Sequence, residues 1–163
     1  GLVTSAIEKE HVYSVSVPVS DKIRFALFIP PFELKTEKAR SVLPAQYSRQ
    51  DAVYNLSRSA LMTASLFSGK IENLRVAVQD KIHQPYRFGL IEHCGEVFQL
   101  GGELGSLGTY ISGAGPTIIA MIPAQSADGF AQRALGRMEE RGIPGWKVEI
   151  RSANDSGAEI ISE

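Results

Sequence analysis

Ile111-Ser112-Gly113-Ala114-Gly115-Pro116-Thr117-Ile118-Ile119-Ala120 is the stretch on which the fold turns. One apolar run enters a Gly-rich corner through Tyr110, and a second, Thr117 to Ile122, leaves it. Their Ile and Thr content makes both read as strands. Gly113 and Gly115 admit backbone conformations closed to residues with a Cβ and let another group approach the chain. Pro116 stiffens the exit. The corner is either a plain turn between core strands or a loop whose bare amides, with the Ser112 hydroxyl, face an anion or a second Gly-rich loop. A dinucleotide fingerprint is excluded, because Ile118 stands where its third Gly belongs and a strand follows. A Walker A loop is excluded because no Gly-Lys-Ser/Thr follows, and Ser68-Gly69-Lys70-Ile71 fails the same test.

Outward from this corner, the 163 residues suffice for one domain or a little more, with 44% hydrophobic residues and a net charge of −1. Without a basic block or an aromatic-basic stripe, nucleic acid is not an expected partner. No apolar run is long enough to span a bilayer, so no membrane partner is expected either. Cys94 is the only cysteine, which rules out an intrachain disulfide and a cysteine zinc cluster and suits a reducing cytoplasm. His11, His83 and His93 lack metal-ligand spacing, and no metal site is assigned. Gly1-Leu2-Val3 reads as the middle of a strand, so the expectation is a piece of a longer protein.

Before the corner, Leu2–Ile7 is short and apolar, and His11–Val17 alternates as a half-buried strand with Tyr13, Val15 and Val17 on one face. Ile23–Ile29 is a central strand stopped by Pro30-Pro31. Thr36 reads as the N-cap of a short helix ending at Pro44, with Thr36 and Arg40 on one face. A long helix runs from Ser48 as cap to Gly69 as stop, with Val53, Leu56, Ala60, Ala64 and Phe67 as its core face. A second helix, Ile71 to about Asp80, turns Leu74 and Val78 inward. Asp80–Arg87 reads as a polar loop in which His83 and Arg87 either tie helix ends or, for Arg87, fork onto a carboxylate or phosphate. Leu90–Leu104 follows a helical period weakened by Gly95, Gly101 and Gly102, whose small size allows close packing on a sheet. Cys94 reads as a buried small apolar residue. After the corner come a helix from about Ser126 to Arg141 with Phe130, Ala134, Leu135 and Met138 inward, a strand Trp146–Ile150, a turn at Asn154–Gly157 and a last short strand, Ala158–Ile161. The order suits an α+β two-layer sandwich, an antiparallel sheet with helices packed on one face.

Ser112-Gly113-Ala114-Gly115-Pro116-Thr117 ahead of an apolar strand resembles the third motif of the GHMP small-molecule kinases. Lys35-Thr36-x-x-Ala39-Arg40, Asn55-Leu56-Ser57-Arg58 and His83-Gln84-Pro85-Tyr86-Arg87 resemble the homoserine kinases in particular. The resemblance spans the C-terminal half of such a kinase. It implies a ferredoxin-like domain over residues 19–163, with residues 1–18 as the tail end of the N-terminal domain. It implies transfer of the ATP γ-phosphoryl group to the hydroxyl of L-homoserine, a step toward threonine. By resemblance, Arg40 and Arg87 clamp the amino-acid carboxylate, Thr36 lies near the reacting hydroxyl, and Gly113 approaches the substrate. Ser112, Gly113, Ala114 and Gly115 would support the phosphate loop. No catalytic base is assigned, since homoserine kinases lack the Asp used elsewhere in the superfamily. The phosphate loop and the acidic Mg²⁺ ligand have no counterpart in this sequence, so the expectation is that the chain alone binds ATP poorly and is inactive. A mevalonate-type acceptor, a homodimer, and a non-catalytic ligand-binding or dimerising module of the same fold stay open.

Overall fold

A computed structural model describes residues 1–157 together with 160 and 161. Its centre is a four-stranded antiparallel sheet built from β3 (Ile23–Ile29), β4 (Gly108–Ile111), β5 (Ile118–Pro123) and β6 (Lys147–Arg151), in the order β4-β5-β3-β6. β4 and β5 are the two runs flanking the Gly-rich corner, paired with Ile111 opposite Ile118. β3 is central, bonded to β5 on one side and β6 on the other, as its nearly continuous apolar run predicts.

Alternation along the strands sends Ala26, Phe28, Ile118, Ala120, Ile122 and Val148 to one face. There α5 (Cys94–Glu103) supplies Cys94, Val97 and Leu100, and α6 (Phe130–Glu140) supplies Phe130, Ala134 and Met138. This is the expected α+β sandwich of antiparallel sheet and helices, except that helices pack on the reverse face of the sheet as well. On the reverse face Ile23, Phe25, Met121 and Tyr110 meet Met62 and Leu66 of α2 (Arg49–Ser68) and Leu74 of α3 (Leu74–Ala77), forming a second, smaller cluster. Gly101 is where α5 comes closest to β4: a Cβ there would lie 2.5 Å from the Thr109 hydroxyl oxygen.

Several expectations need correction. The first short helix, α1 (Thr36–Ser41), has Lys35 in the cap position and Thr36 as its first residue, and no side chain caps it. The Ser48 hydroxyl does cap α2, accepting from the Asp51 amide, and Gly69 closes it in a left-handed conformation. The core face of α2 is the opposite of the expected one. Val53, Leu56 and Phe67 are 59%, 70% and 73% exposed, Ala60 and Ala64 are exposed, and Met62, Ser65 and Leu66 turn toward the sheet. Both faces of α2 carry apolar residues, so its periodicity has no unique solution. The helix expected over Ile71–Asp80 is a 3₁₀ turn, Ile71–Asn73, followed by the four residues of α3. Residues Gln84–Arg87 form a helical turn, α4, inside what reads as a loop. The period through Leu90 breaks at His93, whose φ is 60°, and α5 begins only at Cys94. Leu135 faces outward on α6.

β1 (Leu2–Glu8) and β2 (His11–Val17) form a separate two-stranded hairpin. Tyr13 and Val15 share a strand as predicted, but among the described residues no layer covers them, and they are exposed rather than half-buried. The expected final strand at 158–161 falls partly outside the described residues; Ile160 and Ile161 lie in no strand.

Candidate functional site

Arg87 organises the site. It closes α4 and is 8% exposed. Its Nε donates to the Ala39 carbonyl of α1 at 3.0 Å and its Nη1 donates to the Gly113 carbonyl at 2.8 Å. One side chain thereby joins the segment carrying Thr36 and Arg40 to the Gly-rich corner. Nη1 also lies 3.2 Å from His83 Nδ1. A guanidinium only donates, so Nδ1 accepts, and a neutral imidazole carries its proton on Nε2. That nitrogen is 3.6 Å from the Asp80 carboxylate. Burial, followed by the nearby Arg87 charge, holds the His83 pKa below the ordinary imidazole range despite the raising influence of Asp80.

Asp80 is the anchor behind this row. Its carboxylate accepts from the amides of His83 and Gln84 at 2.7 and 2.6 Å and from the Asn55 side-chain amide at 2.5 Å. Burial alone would raise its pKa, but these three donors together with His83 hold it below the usual carboxylate value. Asn55 also accepts from the Lys81 amide, tying α2 to the segment. Gln84 reaches in two directions: its Oε1 accepts from the Ile111 amide on β4 and its Nε2 donates to the Val78 carbonyl. The strand edge beside the corner is held by a side chain.

In the corner, the Ser112 amide donates to the Thr117 carbonyl and the Gly115 amide to the Ser112 carbonyl. Gly113 and Gly115 take φ of 54° and 83°, which glycine adopts at no steric cost. Among the described residues, the amides of Gly113 and Ala114 and the Ser112 hydroxyl engage in no hydrogen bond, and Gly113 is exposed. Thr36 and Arg40 are exposed on α1, and their side chains likewise make no hydrogen bond among the described residues. The donors left without a partner among the described residues are the bare corner amides, the exposed Arg40 and the Nη2 of Arg87. They do not include a free two-nitrogen fork at Arg87, whose Nε and Nη1 are taken.

Sequence reading brings out Thr36, Arg40, Arg87 and the corner, but not Asn55, Asp80 or Gln84 as the side chains that hold them. The signal for Asn55 is the polar piece Asn55-Leu56-Ser57-Arg58, on a helix whose inward face the periodicity does not single out. Among the described residues, no three His, Cys, Asp or Glu side chains converge to hold a metal ion. Cys94 is buried, and its thiol pKa is pushed up to about 12 by burial and then by Glu96, so it is inert. A cavity of about 800 Å³ between Tyr54, Val78, Pro85, Phe88 and Phe98 includes none of Thr36, Arg40, Arg87 and Gly113.

A four-stranded antiparallel sheet, two helices on one face and a Gly-rich corner with bare amides between the edge strand β4 and its neighbour β5 define an α+β domain of the small-molecule kinase type. Residues 59–140 match the family "GHMP kinases C terminal", and the chain belongs to that family. Over 161 residues it is 40% identical to the homoserine kinase of Clostridium botulinum (strain Eklund 17B / Type B), covering 99% of this chain and 53% of that protein. It is 39% identical to that of Caldicellulosiruptor saccharolyticus, again over 99% of this chain and 53% of the relative. The chain thus spans about half the length of the curated relatives it matches. The crystal structure of a homoserine kinase from Cytophaga hutchinsonii superimposes with a TM-score of 0.81 at 27% identity, covering 88% of this chain and 46% of that one. The L. major mevalonate kinase solved with R-mevalonate shares the fold, with a TM-score of 0.64 at 12% identity over 91% of this chain and 48% of that one. No helix among the described residues is long and apolar enough to cross a membrane.

Proposed function

We propose that this chain is the acceptor-binding half of an ATP-dependent homoserine kinase acting in the cytoplasm on the route to threonine. The observation that carries the reading is Arg87, whose two bonds to Ala39 and Gly113 hold α1 and the Gly-rich corner together. Arg40 and the free Nη2 of Arg87 hold the amino-acid carboxylate, where guanidinium groups serve better than ammonium groups. Thr36, one helical turn from Arg40, orients the acceptor hydroxyl. The Gly113 and Ala114 amides face the negative charge of the transferred group or of the loop that holds it. ATP with Mg²⁺, when bound, supplies the phosphoryl group, and phosphoryl transfer asks mainly for positioning and charge neutralisation. The bare corner fits an anion, whereas no carboxylate cluster among the described residues fits Mg²⁺; those ligands come from the other half of the protein. The exposed β1–β2 hairpin belongs with that half, the domain boundary falling near residue 18.

The test is ADP release by the full reading frame containing this chain, with ATP and Mg²⁺, offered L-homoserine or mevalonate, and with this chain assayed alone beside it. Turnover with L-homoserine only, and only in the longer protein, is the expected result. Turnover with mevalonate alone overturns the substrate, and turnover by this chain alone overturns the placement of the nucleotide site.

A further inference from the structure

Gln84 is buried, and both ends of its side-chain amide are engaged. Its Oε1 accepts from the Ile111 amide at 2.8 Å and its Nε2 donates to the Val78 carbonyl at 3.0 Å, which leaves the group one orientation. Gln84 and Arg87 stand three residues apart on α4, hence on one face. Through that face α4 holds the Gly-rich corner at two backbone points, the Ile111 amide and the Gly113 carbonyl, with Ser112 between them. Both contacts are internal to the domain, so neither depends on what covers its surface in a longer protein.

The corner needs such ties. Its own bonds, Ser112 amide to Thr117 carbonyl and Gly115 amide to Ser112 carbonyl, close it on itself but leave its direction relative to α1 open. Gly113 and Gly115, at φ of 54° and 83°, resist displacement little. The direction matters because of one peptide group. Arg87 Nη1 donates to the Gly113 carbonyl, and in the trans peptide between Gly113 and Ala114 the N–H points opposite to the C=O. The Ala114 amide is therefore turned away from Arg87, toward the far side of the corner. Ile111, at the root of the corner in the edge strand β4, decides where that peptide sits. We propose that Gln84 is a positioning residue for phosphoryl transfer, holding the corner through Ile111 so that the Ala114 amide meets the charge on the transferred group. This rests on the kinase function proposed for the chain. It divides the work of α4: Arg87 serves acceptor binding and Gln84 the chemical step. The two can be separated, because the backbone amides of His83 and Gln84 are bonded to the Asp80 carboxylate. A change of the Gln84 side chain keeps that anchor, and with it α4 and Arg87.

The experiment uses the full-length protein with ATP, Mg²⁺ and L-homoserine. Gln84→Met is expected to lower kcat about ten- to a hundredfold, the cost of a displacement of about 1 Å near the reacting group. The KM for L-homoserine is expected to change less than about twofold. Gln84→Glu keeps the acceptor for Ile111 and regains the donor for Val78 when protonated, a form that burial and the neighbouring Asp80 favour. Its kcat relative to wild type is expected to recover as the pH is lowered from about 8 to about 6, with no such recovery in Gln84→Met. Met138→Ala, in the core under α6, is the control: it lowers the melting temperature without changing kcat. A raised KM with unchanged kcat in Gln84→Met places the residue in acceptor binding and overturns the proposal. A lower melting temperature with neither constant changed leaves a structural role only and also overturns it. A wild-type protein that uses mevalonate instead reassigns the acceptor, and the same fall in kcat with that acceptor still supports the proposal. A wild-type protein inactive on both acceptors overturns the kinase function and this proposal together.

Discussion

At the scale of single residues, the site depends on one buried guanidinium with three partners on three segments. Lysine keeps the charge but cannot reach Ala39, Gly113 and His83 together. Arg87→Lys is therefore expected to destabilise this chain by about 1–3 kcal/mol and, in the full-length protein, to weaken L-homoserine binding about tenfold or more. Thermal unfolding and calorimetric titration check the two parts separately. His83 makes the row acid-sensitive. Its folded pKa lies below its unfolded one, so between the two the unfolded chain binds a proton that the folded chain refuses. Its contribution to stability is complete above about pH 6.5 and is lost as the pH falls through the depressed folded value. Asp80, also depressed, adds its own loss only below about pH 4. The melting temperature should fall between about pH 7.5 and about pH 5.5, and His83→Gln, which still offers Arg87 an acceptor, should flatten that fall. An equal slope in the variant would assign the acid sensitivity to another group.

At the scale of elements, adjacent glycines of α5 have opposite roles. A Cβ on Gly101 meets the Thr109 hydroxyl at 2.5 Å, with the Thr109 methyl at 3.4 Å behind it, so rotating Thr109 exchanges one clash for another. A Cβ on Gly102 meets nothing within 4 Å. Gly101→Ala is expected to push α5 off β4 and cost about 1–3 kcal/mol. Gly102→Ala is expected to stabilise by about 0.5 kcal/mol through lost freedom in the unfolded chain. Urea unfolding of the pair decides it, and a stabilising Gly101→Ala would mean that the helix–sheet contact has slack. The long helix α2 is the complementary case. Its cap at Ser48 and its stop at Gly69 are local chemistry and read directly from the sequence. Its buried side is not local, because apolar residues stand on both faces and only the sheet's reverse-face cluster selects Met62 and Leu66.

At the scale of the molecule, the hairpin β1–β2 stands outside the main sheet, with Val3, Ile7, Val12 and Val15 exposed. An isolated two-stranded hairpin is marginal in water, so it adds little to the stability of the rest. Removing residues 1–17 from this chain is expected to shift its melting temperature by no more than about 3 °C, which is roughly 1 kcal/mol or less for a domain of this size. A larger drop would show that the hairpin belongs to the core of this domain. In the full-length protein the same deletion should be far more damaging, if the hairpin completes the other half as proposed.

The sequence by itself determined the strand–corner–strand unit, the capped long helix, the α+β class and the kinase-family motifs. Each rests on local chemistry: Gly and Pro punctuation, alternation along strands, Ser and Gly at helix ends. Three things were decided only by tertiary structure. The α2 face that turns inward depends on which sheet surface is left to cover. The Asn55–Asp80 contact joins residues 25 apart in sequence, and no periodicity predicts that. The environment of Arg87, with Nε and Nη1 committed, decides between the two open readings of tie and fork in favour of a brace that leaves one nitrogen without a partner among the described residues. A sequence states which donors exist. Only folding states which of them are already used, because buried donors must find partners wherever the packed chain brings acceptors within reach.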